Sequence, residues 1–148
     1  MDLFNQKELT QLLKEKNWEN ATIRNIYYLI AVTGITFDDA LGLSWKDIDF
    51  NANFISLKDE RKKMRLIPLN SVALKFLKGL DGYEGDKSAK IFSGFDYTGD
   101  EFYSALDTSG ISTSKRTLYP ESVRASFIQI LKEQGNTQEA IARVYGEF

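Results

Sequence analysis

The chain is predicted to be an α+β domain, mostly α-helical, with a small antiparallel β-hairpin extended to a three-stranded sheet. Three observations point there. Apolar residues recur at helical spacing toward both ends. The period drops to two over one central stretch. Neither repeat nor linker divides the 148 residues. One domain spanning 1–148 is expected, long enough to bury a real core.

Each element has a local cause. Asn5 can cap a helix that carries Leu9, Leu12 and Leu13 on one face. Asn20 or Thr22 opens a second helix through Ile23, Ile26, Tyr27 and Ile30, which stops near Gly34. Thr36 and Asp39 have the spacing of a capping box, with Asp in place of the usual Glu, leading into "DALGL". Phe54, Ser56 and Lys58 alternate with Ile55 and Leu57, and Leu66–Ile67 mark a second short run. These form a hairpin across the charged loop "DERKK", joined by a third strand around Ile48 to Phe50. Pro68 ends the hairpin, and Ser71 starts an amphipathic helix. "DGYEGDKSAK" reads as the loosest segment, a mobile loop. Glu101 to Leu106 is expected to be helical. Pro120 to Gln134 is expected to be the longest helix, closed by Gly135, and Thr137 caps a last one that stops at Gly146.

Composition excludes several classes of function. The chain is 43% hydrophobic and 27% charged, the balance of an ordinary globular domain. No apolar run is long enough to cross a bilayer. The start, "MDLFNQKELT", lacks the basic flank and apolar stretch of a signal peptide. Zero cysteines remove disulfides and thiolate metal sites, and a reducing cytoplasm is the expected location. Zero histidines remove the usual general base near neutral pH and the commonest metal ligand; no cofactor and no metal are expected. A net charge of −2 argues against strong attraction to nucleic acid, though the distribution of charge matters more than its sum.

Two segments carry a family resemblance. "TGITFDDALGLSWKDIDF" (Thr33 to Phe50) resembles the first conserved box of the tyrosine recombinase, or phage integrase, catalytic domain. Thr33, Gly34, Asp39, Leu43, Trp45, Asp47, Ile48 and Asp49 fall into its register without a gap. The hairpin "FISLKDERKKMRLIPL" follows in the family's order. "TLYPESVRASFIQILKEQGNTQEAIARVYGEF" then resembles the second box, where the family writes Pro-His-x-Leu-Arg-His-Thr-Phe, a helix, Gly, a short helix and Leu-Gly-His. The resemblance implies the integrase-like catalytic-domain fold. It also implies a metal-free chemistry in which a tyrosine attacks a DNA phosphodiester. Two arginines neutralise the phosphate oxygens, a His or Trp helps hold the phosphate, and a lysine protonates the leaving oxygen.

Carried over position by position, that machinery is mostly gone. Thr36 stands at the first arginine, Glu121 at the histidine, and Glu147 at the late His/Trp position. Arg124 keeps the second arginine and Asp39 keeps an acid in kind. Lys58 is the hairpin lysine, with Lys62 and Lys63 as rivals. The nucleophilic tyrosine would fall past Gly146, and Tyr145 is not its equivalent. The amino-terminal core-binding domain and the carboxy-terminal tyrosine tail of the family are not expected within 1–148.

Plainer readings stand beside these. Thr36 is a helix cap, and Glu121 next to Pro120 compensates a helix dipole. Arg124 is either a phosphate ligand or half of an ion pair with Asp39 or Glu121. Arg61, Lys62, Lys63 and Arg65, with Lys115 and Arg116, either track a DNA backbone or form a solvated surface. Trp18 and Trp45 read as core anchors. The leading expectation is a degenerate integrase-like protein of a mobile element. It would bind DNA weakly through the backbone, partner an intact recombinase or another protein, and fail to cleave strands alone. The alternatives are a protein–protein module that kept the fold without DNA binding, and a fragment of a larger integrase.

Overall fold

The computed structural model describes residues 1–58 and 63–145. Arg61, Lys62, Gly146 and Glu147, singled out above, lie outside the described residues. Helix α1 (Gln6–Leu12) begins at Asn5, whose side chain accepts from the Glu8 amide while Glu8 returns a bond to the Asn5 amide. Helix α2 (Ala21–Thr33) is capped by Asn20 and ends at Gly34, which holds φ of 75°. A side chain there would be strained twice over, by the left-handed backbone and by Phe127, whose ring would lie 2.6 Å from an added Cβ. Thr36 caps α3 (Phe37–Gly42) in the reciprocal box its spacing predicts.

A three-stranded antiparallel sheet follows, in the order β1 (Ile48–Asp49), β2 (Phe54–Lys58), β3 (Met64–Pro68). Ile55 and Leu57 point inward and Ile55 faces Ile67, so the alternation read in the sequence is the alternation of burial. Helix α4 (Ser71–Lys78) is capped by Asn70. Helix α5 (Asp100–Ser109), α6 (Ser122–Glu133) and α7 (Gln138–Tyr145) complete the chain. The core runs through α2, which packs against α3, α4 and α6, and holds Ile23, Ile26, Leu29 and Phe102 fully buried. Trp18 and Trp45 are both buried in it. Among the described residues no helix is long and apolar enough to cross a membrane.

Two expectations need correction. Helix α2, at 13 residues, is longer than α6 at 12. The chain enters α6 by a tighter turn over Pro120, in which the Ser122 amide donates to the Tyr119 carbonyl and the Ser122 hydroxyl accepts from the Tyr119 amide. The stretch read as a mobile loop is a strap. Trp45 and Lys46 amides donate to the carbonyls of Ala89 and Lys87, and the Ile91 amide donates to Leu43. Gly82 presses on the Trp45 indole so closely that a Cβ would sit 2.8 Å from its nitrogen. Long-range backbone bonding supplies the order that local composition lacks.

Candidate functional site

The start of α3 and the start of α6 face one another across an open cleft of about 890 Å³. Thr36, Glu121 and Arg124, which the resemblance set at positions of the family's machinery, all line it. Lys58 lines a neighbouring hollow with Asp39 and Met64 instead, and Asp38 is common to both. The structure therefore brings residues 36, 121 and 124 together and sets the hairpin lysine on the far side of α3.

Thr36 is committed to its own helix. Its hydroxyl accepts from the Asp39 amide at 3.0 Å, and the Asp39 carboxylate accepts from the Thr36 amide at 3.2 Å. Asp39 also stands 4.0 Å from Arg65, a loose ion pair that draws that hairpin cation toward α3. Glu121 is exposed and caps nothing with its side chain. Its charge falls on the cleft floor, where it and Glu101 help push the Tyr97 hydroxyl above its ordinary pKa, after the larger effect of burial.

Arg124 is held by main-chain carbonyls rather than by an acid. It is half-buried, and its Nε donates to the Gly34 carbonyl at 2.7 Å while one terminal nitrogen donates to the Tyr145 carbonyl at 2.6 Å. The guanidinium thus joins the end of α2 to the end of α7. Burial lowers its pKa, the charge of Asp39 opposes that fall, and Arg65 adds to it. Neither Asp39 nor Glu121 forms an ion pair with it. Its other terminal nitrogen has no protein partner among the described residues.

Of the remaining basic candidates, Lys58, Lys63 and Arg65 lie at one end of the hairpin, where Lys58 pairs with Met64. Lys58, Lys63 and Lys115 are exposed. Arg116 is taken up internally, with a forked pair to Glu8 at 2.7 and 3.0 Å and further bonds to the carbonyls of Leu3 and Ser112. No cluster of three or more acidic, His or Cys side chains among the described residues is placed to hold a metal ion.

Inspection of the sequence missed the aromatic lining. Tyr27, Phe37, Tyr97, Tyr103 and Tyr119 reach the cleft from separate elements. The Tyr27 and Tyr97 hydroxyls meet at 2.7 Å, and Phe37 stacks on Tyr97 with centroids 4.4 Å apart. Nothing in the spacing of these residues foretells their meeting.

The sequence model described as "Phage integrase family" matches residues 3–146. No curated protein sequence matches the chain. Among solved structures, XerA recombinase superposes with a TM-score of 0.79 at 16% identity, covering 99% of this chain and 55% of that one. The catalytic domain of bacteriophage HP1 integrase gives 0.72 at 18% identity, covering 99% of this chain and 81% of that one. A lambda integrase tetramer bound to a Holliday junction gives 0.73 at 16% identity, covering 99% and 47%. The chain thus spans about half the length of the XerA and lambda proteins and has the fold of their catalytic domains.

Proposed function

Because the chain belongs to the phage integrase family, we propose that it serves DNA recombination and integration as a DNA-associated protein that does not cleave strands by itself. One observation carries the second half. At the phosphate position, Thr36 is spent on a helix cap and Arg124 on two carbonyls, while Glu121 adds a negative charge to the same cleft. A phosphoryl transition state gathers negative charge and needs preorganised cations around it. Here one partly engaged arginine faces carboxylates.

DNA as partner is supported by relatives: lambda integrase is seen on a Holliday junction and XerH recombinase on its difH substrate. In this chain the contact is weak and to the backbone, through Lys58, Lys63, Arg65 and Lys115, with Arg61 and Lys62 alongside. Arg116 is withdrawn from that set by Glu8. An intact recombinase is the natural protein partner, in a reducing cytoplasm suited to a chain without cysteine.

A nicked suicide substrate tests cleavage: no covalent protein–DNA adduct is expected, and an adduct refutes the reading. Titration against salt tests association. With about three phosphates contacted, affinity falls about fortyfold between roughly 50 and 200 mM salt. A second reading, a protein-binding module that has left DNA, is favoured by the carboxylates of Asp38, Asp100 and Glu121 around the cleft. Absence of DNA binding at low salt supports it.

A further inference from the structure

We propose that the cleft between α3 and α6 is a docking site for an arginine-bearing segment of a partner protein. The proposal goes beyond DNA association and does not depend on it.

The cleft's volume is that of sites that enclose a side chain and its flanking backbone. Its floor is the Tyr27–Tyr97 hydroxyl pair with Phe37 stacked beneath. Around its mouth three large rings stand in water: Tyr97 is 37% exposed, Tyr103 43% and Tyr119 44%. Tyrosine left in solvent around one opening is the composition of a recognition surface, since each ring offers apolar area at small entropic cost and a polar tip. The mouth is held in shape by Glu101, whose carboxylate accepts from the Thr98 and Gly99 amides at 2.8 and 3.1 Å.

Charge selects the occupant. The charged side chains lining the cleft, among the described residues, are Asp38, Asp100, Glu121 and Arg124, and Met1, which carries the chain's amino group, lines it as well. Arg124 lies at the inner end, tied to two carbonyls and within the field of Asp39. The three carboxylates with tyrosine faces beside them repel a phosphate and attract a cation. A guanidinium fits better than an ammonium, because its plane stacks on tyrosine while its edge bonds a carboxylate in a fork. The exposed rings extend the contact to residues flanking that arginine, which is why a peptide segment rather than a free amine is assigned.

The test uses the whole chain and follows the ring signals of Tyr97, Tyr103 and Tyr119 by NMR. The probes are a blocked Gly-Arg-Gly peptide, its citrulline counterpart, free agmatine and a mixed-sequence DNA duplex. The arginine peptide is expected to move these signals saturably and to bind more tightly than agmatine, with the citrulline peptide several-fold weaker. Glu121→Gln and Asp100→Asn, with melting temperatures measured for each, should each weaken the arginine peptide about two- to fivefold. An equal response to arginine and citrulline overturns the proposal, as does an agmatine response equal to the peptide's. So does movement of the same rings by DNA, or no saturable response. Loss of salt-dependent DNA binding bears only on the earlier reading.

Discussion

Arg116 and Arg124 flank the same turn into α6 and live in different electrostatic worlds. Arg116 meets a carboxylate edge to edge: Glu8 takes two of its N–H groups and the carbonyls of Leu3 and Ser112 take others. Each partner holds the other charged, with the Glu8 pKa lowered chiefly by the hydrogen bond from Arg116 and the Arg116 pKa raised chiefly by Glu8. Arg124 hydrogen-bonds, among the described residues, to backbone carbonyls, and burial lowers its pKa. A guanidinium neutralised by an acid is closed to ligands and serves as a fastener. One held by carbonyls keeps a charge that no contacting acid offsets. Residue type alone does not separate these two fates; the partner does.

The comparison can be broken from the Arg124 side first. Gly34→Ala leaves both arginines in place but forces a Cβ into Phe127 at a positive φ. It should cost about 3 kcal/mol in denaturant unfolding, from backbone strain plus overpacking. A neutral result would mean that the junction of α2, α6 and α7 is loose. Arg124→Met comes next. It strips donors from the Gly34 and Tyr145 carbonyls, with an expected loss of about 2 kcal/mol by the same measurement. Arg116→Met should cost less, about 1 kcal/mol, because Glu8 retains access to water. If it proves the costlier of the two, the contrast drawn above is reversed.

The smallest effect is in pH. Glu8 has a folded pKa below its ordinary value, so its pairing stabilises the fold fully above the ordinary carboxylate range. That contribution disappears as pH falls through the lowered folded value. Melting curves of wild type and Arg116→Met should therefore differ at neutral pH and converge in acid. Parallel curves at every pH would assign the role of Arg116 to its carbonyl bonds alone.

Much of the fold was legible because its causes are local. The caps at Asn5, Asn20 and Thr36 and the alternation in β2 are each set by side chains within a few residues. The strap from Asp81 to Ile91 was not, because its order comes from backbone bonds to Leu43, Trp45 and Lys46, and backbone groups carry no sequence signature. The same reason hid the partners of Arg124. A search among acids for its counter-charge could not find two carbonyls, which every residue possesses. The tyrosine-lined cleft was hidden differently: its rings come from elements distant in the chain, and each alone is an ordinary core or surface residue.

The strap has a consequence for how the chain can change. The Ser44–Lys90 bridge and its neighbouring bonds form a stem, and the sheet and α4 lie entirely inside the loop it closes. That segment enters and leaves the domain at one doorway. Lengthening the connection between β2 and β3 therefore need not be transmitted to α5 or α6. Closure entropy grows only about 0.6 kcal/mol for each doubling of a flexible loop, so such an insertion is cheap. That freedom belongs to the connection alone, because α4 packs on α2 and β3 on α7.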